Sequence, residues 1–413
     1  AYDASDISAC ESRAFIGHLS GHARLLARAG SGKTSAILAK ASFLIDTFSL
    51  RRENLLFLTF NARNREVLQA RGSRTLRAIR RNIAPASFPA HTFHSASLLL
   101  AEASGLEGRR IFDDQSVRQR LERCLDQVIS HEDWTSFLDR FMEERDPSAA
   151  RRRRSSPAAG DALRAEYAPR ARAWALAMIL RIMDLQAHRG PGRGNAIERF
   201  AARQEKRSLG AALFDLASPV IESFFNGLPD DVEAGSSRSD THASLMNRVI
   251  EAFPTTPRIS GLTKDVKLIF VDEAQDLSPQ YLEFLKKIMS ANPGARLFAV
   301  GDDRQAINGF AGSDVSLFET LPERISPCRD MALTTCHRSA RLVVSAGNRV
   351  MAGESHPARP RPDAKEGSVL LRRLSLPVRK TGNRTQRPAS ARSVKPWEDD
   401  LYRAVISGTV EYL

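Results

Sequence analysis

Three strand-like runs, each ended abruptly by small or acidic residues, set the frame of this chain. Arg24-Leu25-Leu26 leads into Ala27-Arg28-Ala29-Gly30-Ser31-Gly32-Lys33-Thr34, and Ser35 to Ala41 continues with helical spacing. Val266 to Val271 is apolar and β-branched and ends in Asp272-Glu273-Ala274-Gln275-Asp276. Arg296 to Val300 runs into a polar loop from Gly301 to Gly312. Short, continuous apolar runs predict strands buried on both faces of a parallel sheet. Between the first and second runs the period changes. Val117 to Ile129, Trp134 to Glu144 and Asp161 to Ala187 carry apolar residues at helical spacing, punctuated at Ser155-Ser156-Pro157 and Gly190-Pro191-Gly192-Arg193-Gly194.

The ends of the runs carry the chemistry. A strand, a glycine-rich turn and a helix in that order form a phosphate-binding loop, because backbone N–H groups turn inward and the helix N-terminus favours anions. Ala27, Arg28, Ala29, Gly30, Ser31, Gly32, Lys33 and Thr34 are therefore candidate nucleotide-binding residues. Lys33 is expected at the β- and γ-phosphates and Thr34 at Mg²⁺. Paired acids at the end of a strand put carboxylates at the sheet edge where α/β ligands bind. Asp272 is expected to hold Mg²⁺ through water, and Glu273 to orient or deprotonate the attacking water. Gln305 could sense the γ-phosphate, and Phe310 could offer a flat ring to a base. Each motif also has a bland counterpart, a chance glycine-rich turn or a solvated acidic turn. Their occurrence together favours the nucleotide reading.

The motifs resemble those of the UvrD/Rep type of superfamily 1 DNA helicases, over about residues 12 to 350. Ala27 to Thr34 looks like the family's first motif. Leu58-Thr59-Phe60-Asn61-Ala62-Arg63 is similar to its next, and Thr92-Phe93-His94-Ser95 to its Thr-Phe-His-Ser element. Asp272 to Asp276 matches the second motif, Gly301 to Ile307 the third, and His337-Arg338-Ser339 resembles the fourth. The resemblance implies a RecA-like P-loop α/β sheet, ATP and Mg²⁺ as cofactors, single-stranded DNA as partner, and 3′-to-5′ movement in repair or recombination. It implies strand contacts at Thr59, Phe60, Arg63, Phe93, His94 and Phe310, and an arginine finger at Arg338. Several positions depart from the pattern: Ser12 stands where a glutamine usually reads adenine, Arg28 replaces a usual glycine, Asn308 a common tyrosine and Ala311 a common arginine. No match to the two later motifs is found before Leu413.

Lys33 and Asp272 stand 239 positions apart, more than one such domain needs, so an insertion is implied. The expected organisation is a RecA-like ATP-binding domain at 1–99 and 236–325 and a helical, Arg-rich insertion at 100–235. A partial second motor domain with a Pro/Arg-rich tail is expected at 326–413, opened by a strand at Met331 to Thr335. A further strand is expected at Gly367 to Leu374.

Composition agrees with an anionic partner. The chain of 413 residues has a formal net charge of +13, concentrated at 151–210, where fourteen basic side chains face five acidic ones. That segment is read either as a DNA-facing surface or as a solvated face. Four scattered cysteines read as free thiols of a cytoplasmic protein. His91 and His94 have no further metal ligand near in sequence, and no apolar run is long enough to span a bilayer.

The leading expectation is an ATP-dependent translocase on single-stranded DNA. Two others stay open: a DNA- and ATP-binding remnant or regulatory protein without unwinding activity, and an ATPase subunit of a nuclease or defence complex in which a protein partner supplies the missing motor motifs. For the chain alone, slow hydrolysis and no duplex unwinding are expected.

Overall fold

The computed structural model describes residues 7–78, 88–104, 106, 110–111, 114–189, 208–226, 239–253, 259–309, 312–351, 353 and 355–369. The runs read from the sequence form one parallel six-stranded sheet. Its strands are β1 (His22–Ala27), β2 (Leu55–Thr59), β3 (Ala90–Thr92), β6 (Leu268–Asp272), β7 (Arg296–Gly301) and β8 (Cys328–Leu333), in the order β3-β2-β6-β7-β1-β8. Two further short strands, β4 (Arg110–Ile111) and β5 (Ser239–Asp240), pair in parallel where the chain leaves and re-enters this layer.

Alternate residues of the central strands enter two different cores, which is why the runs are apolar throughout. Leu56, Leu58, Ile269, Val271, Leu297 and Ala299 pack with α4 (Phe93–Ala103), α10 (His242–Ala252) and α11 (Pro279–Ala291). Leu55, Phe57, Leu268, Phe270, Phe298 and Val300 pack on the other face with α2 (Lys33–Phe48) and α3 (Ala62–Ala78). Phe270 stacks between Phe57 and Phe298, with centroids 4.7 and 5.3 Å away.

The insertion is helical and has its own core. α5 (Asp114–Val128), α6 (His131–Arg145), α7 (Pro147–Ser155), α8 (Pro157–His188) and α9 (Leu209–Asn226) bury Leu121, Phe137, Phe141, Leu176, Val220 and Phe224 together. The break at Ser155-Ser156-Pro157 separates α7 from α8, with Pro157 at the first helical turn. The Gly190-to-Gly194 break lies outside the described residues, as do Arg193, Arg199, Arg203, Lys206 and Arg207. Several arginines of the basic stretch have intramolecular partners: Arg153 and Arg164 pair with Asp139, Arg154 with Glu143, and Arg172 with Asp126. For these the solvated-face reading fits better, since each already has an acidic partner within the bundle.

One boundary needs correction. In the sequence the apolar stretch at Met331 reads as the opening of a second domain at 326. It instead forms β8, which pairs in parallel with β1 from His22↔Cys328 to Ala27↔Leu333. Arg24 of β1 makes a bidentate pair with Asp330 of β8, 2.8 and 2.5 Å. The chain divides after Thr335, and Cys336–Leu413 is a separate unit. Its described part holds a helix at Arg341–Val350 and a short strand at Arg359–Pro360. Gly367, Ser368 and Val369, where a further strand is expected to begin, have no strand structure, and residues 370–413 lie outside the described set.

Lys40, on α2, is fully buried. Its ammonium donates to the carbonyls of Phe15, Ile16 and His18 at 2.8, 3.3 and 2.7 Å, closing the C-terminal end of α1 (Ile7–Gly17). It also lies 4.3 Å from the Phe298 ring centre. Burial, with Arg296 adding like charge, lowers its pKa from 10.5 to about 8. We predict that Lys40→Met destabilises the chain by about 1–3 kcal/mol near neutral pH, because the α1 carbonyls lose their donor. Because the folded-state pKa is lowered, the folded protein binds fewer protons than the unfolded chain between pH 8 and 10.5, so this group's contribution to stability rises with pH there. Urea denaturation across that range should show wild type gaining on Lys40→Met as pH increases.

Candidate nucleotide site

The C-terminal ends of β1, β6 and β7 bring the three motifs to one edge of the sheet. Register fixes this: Leu26 is level with Gly301, and Asp272 with Val300. After β1 the chain turns through Gly30 and Gly32, at φ 76° and 89°, a left-handed conformation that glycine adopts without steric cost. Gly32 caps α2, whose first residues are Lys33 and Thr34.

Lys33 Nζ donates to Glu273 Oε2 at 2.8 Å, and Thr34 Oγ1 donates to Asp272 Oδ2 at 3.2 Å. The two motifs, 239 positions apart in sequence, thus form one cluster. Asp272 is 5% exposed. Burial, reinforced by the charge of Glu273, raises its pKa to about 6, against the opposing pull of Lys33 and Thr34. Burial also raises the pKa of Asp276. Glu273 has φ 58°, ψ 41°, a left-handed conformation uncommon outside glycine, where β6 turns into the helical turn Ala274–Asp276. The Ser31 hydroxyl is buried and finds no partner among the described residues. An orphaned hydroxyl in a left-handed loop, beside a hard-oxygen pair at Thr34 and Asp272, fits a phosphate with a divalent cation.

Gln275 has no assigned role in the sequence reading, yet it links two motifs. Its Nε2 donates to Glu273 Oε2 at 2.9 Å, and its Oε1 accepts from the Asp302 N–H at 3.0 Å. The available signal was an amide between acids, able to donate on one side and accept on the other. Gln305 donates to Asp302 Oδ2 at 2.6 Å, and Asn308 to Asp276 Oδ1 at 3.0 Å.

Arg28 departs from expectation. Its backbone belongs to the phosphate loop, but its guanidinium is 1% exposed and turns to Asp302, at 2.9 Å, and to Asp303. Removing one partner of such a buried pair typically costs about 3–5 kcal/mol.

Of the expected strand-contacting residues, Thr59, Phe60, Arg63, Phe93 and His94 lie at or just beyond the ends of β2 and β3. Thr92 and Ser95 form a reciprocal capping box at the start of α4, 3.0 and 2.8 Å, so the Thr-Phe-His-Ser element is a helix start. Phe93 is 1% exposed, with Phe60 and Tyr281 at 5.1 and 4.7 Å. Its ring is spent on the core and supports Phe60, which leaves its backbone for the expected strand contact. Thr59 is likewise buried, with an unpartnered hydroxyl. Phe60 and His94 are half-buried and Arg63 is exposed. His94 approaches the Tyr281 hydroxyl at 3.3 Å, and burial, with His242 and His188 nearby, lowers its pKa to about 4. Phe310 lies outside the described residues. Arg338 is exposed in the Cys336–Leu413 unit.

Residues 9–326 match the model of the UvrD/REP helicase N-terminal domain. The chain belongs to the UvrD/REP helicase family. It is 25% identical to DNA helicase IV of Escherichia coli K12 over 334 residues, 79% of this chain and 44% of that protein. It is 32% identical to a probable DNA helicase of Mycoplasma pneumoniae over 93 residues, 22% of this chain and 17% of that one. It is 28% identical to the RecBCD enzyme subunit RecB of Borreliella burgdorferi over 93 residues, 22% of this chain and 8% of that one. The chain spans less than half the length of each of these relatives. The RecA-like parallel sheet is the fold expected of this UvrD/REP domain. Among the described residues no helix is long and apolar enough to cross a membrane.

Gly301 makes the meeting of the second and third motifs sterically feasible. A Cβ there would stand 2.7 Å from Gln275 Oε1, 2.9 Å from the Gln275 backbone nitrogen and 3.1 Å from Phe318. Gly301→Ala should therefore destabilise the chain by about 1–3 kcal/mol, since backbone cannot yield as a flexible side chain can. Gly309→Ala, with open space around the added atom, should stay within about 0.5 kcal/mol. Equal midpoints for the two variants in urea denaturation would contradict this packing.

Proposed function

We propose that this chain binds and hydrolyses Mg·ATP and uses the cycle to move on single-stranded DNA as part of a helicase. The observation that carries the reading is the pairing of Lys33 with Glu273 and of Thr34 with Asp272. Family membership and the DNA helicases it is similar to support the DNA partner.

In this reading, the N–H groups from Ala29 to Thr34 bind the β- and γ-phosphates. Lys33 exchanges Glu273 for a phosphate oxygen, which frees the carboxylate to take the proton of an attacking water. Asp272 and Thr34 hold Mg²⁺, which when bound neutralises phosphate charge. Gln305 senses the γ-phosphate side, and Arg338 keeps its expected role in stabilising transferred charge. Phe60, Arg63, His94 and Phe310, with the backbone at Thr59 and Phe93, contact the strand through stacking and phosphate pairing. We further propose 3′-to-5′ polarity, a role in repair or recombination and a cytoplasmic location. The likeness to the RecB subunit supports a second reading, an ATPase subunit that works with protein partners.

Glu273→Gln keeps the shape of the site but removes the base. Turnover should fall at least roughly 100-fold while nucleotide still binds. Lys33→Ala should weaken nucleotide binding itself. DNA affinity should fall steeply with added salt, as counterion release requires. Steady-state ATPase assays and equilibrium nucleotide titration check this. Undiminished DNA-stimulated turnover in Glu273→Gln would remove Glu273 from its role.

A further inference from the structure

The side chain of Arg28 has no part in the proposed chemistry, yet it is among the largest fully buried groups in the chain. Its backbone N–H donates to Leu333 O of β8 at 2.9 Å, which seats the residue at the sheet edge. From there its guanidinium reaches the loop after β7. Nη1 contacts Asp302 Oδ1 at 2.9 Å and also Asp303.

Followed onward, the contacts return to where they started. The N–H of Asp302 donates to Gln275, Gln275 donates to Glu273, and Glu273 accepts from Lys33. Arg28 and Lys33 lie on the same loop, so the polar contacts close a ring through all three motifs. Two of its links differ in kind. Lys33–Glu273 is partly open to solvent and has a competitor, since a phosphate can claim the ammonium. Arg28–Asp302 is sealed from water, where an unpaired charge is strongly disfavoured, so it persists.

We propose that Arg28 is a positioning residue that fixes the 302–305 loop to the phosphate loop, so that nucleotide occupancy is transmitted to the strand-facing segment beyond it. When Lys33 leaves Glu273, the Gln275 amide loses the arrangement that holds both its neighbours. Without Arg28, Asp302 could drift with Gln275 and absorb the change locally. With Arg28 clamping Asp302 and Asp303, the shift passes instead along Gln305 to Ile307, which is 77% exposed, and to Asn308, which holds Asp276. This inference rests on the ATP-hydrolysis reading above.

The test is the ratio of ATP turnover with oligo-thymidine single strands to turnover without them, measured on the full chain. Arg28→Met should lower that ratio at least about tenfold, and Arg28→Lys, which keeps one charge contact, should recover an intermediate ratio. Asp303→Asn should lower it in the same direction. This substitution leaves the Arg28–Asp302 pair in place, so it decides the matter if Arg28→Met does not fold. A wild-type ratio in Arg28→Met or in Asp303→Asn overturns the inference while leaving ATP hydrolysis intact. So does a ratio in Arg28→Lys as low as in Arg28→Met, since a conservative charge should rescue positioning. A wild-type chain without DNA-stimulated turnover removes the underlying reading, and this inference with it.

Discussion

The site depends on one contact between motifs far apart in sequence, the 2.8 Å pair of Lys33 and Glu273. It exists because a parallel sheet delivers every strand end to the same edge. β1 supplies the phosphate loop, β6 the acids, and β7 the loop that Gln275 and Arg28 hold in place. The pair also keeps an ammonium and a carboxylate matched, and in the proposed reading a phosphate takes the place of the carboxylate.

Around that contact the structure tolerates local costs. Glu273 takes a left-handed backbone, and Asp272 carries its carboxyl out of water with a raised pKa. Both costs fall on residues whose proposed roles need that position: Asp272 beside a cation and Glu273 facing the end of the phosphate chain. A cation at Asp272 and Thr34 would favour the ionised carboxylate and so offset the cost of its burial.

The strands, their order of chemistry and the helical insertion were legible because local patterns carry them. Continuous apolar runs report two buried faces, and helical spacing reports the bundle. What was not legible is non-local. The run at Met331 reads as a strand in either domain, and only its pairing with β1 assigns it to the first sheet. Phe93 stands among the strand contacts that the motif implies, but direction from the helix start sends its ring into the core, beside Tyr281. Arg28 sits in a phosphate-binding motif, and nothing local shows where its side chain goes; the two acids that claim it are 274 and 275 positions away. Lys40 shows no sequence sign that the carbonyls of Phe15, Ile16 and His18 surround its ammonium.

The most direct test of this account is a crystal structure of the chain with Mg²⁺ and a non-hydrolysable ATP analogue. The account predicts the triphosphate in the loop from Ala29 to Thr34, the ion beside Thr34 and Asp272, and Lys33 moved from Glu273 to the γ-phosphate. An analogue bound elsewhere, or one bound in the loop with Lys33 still on Glu273, would contradict it.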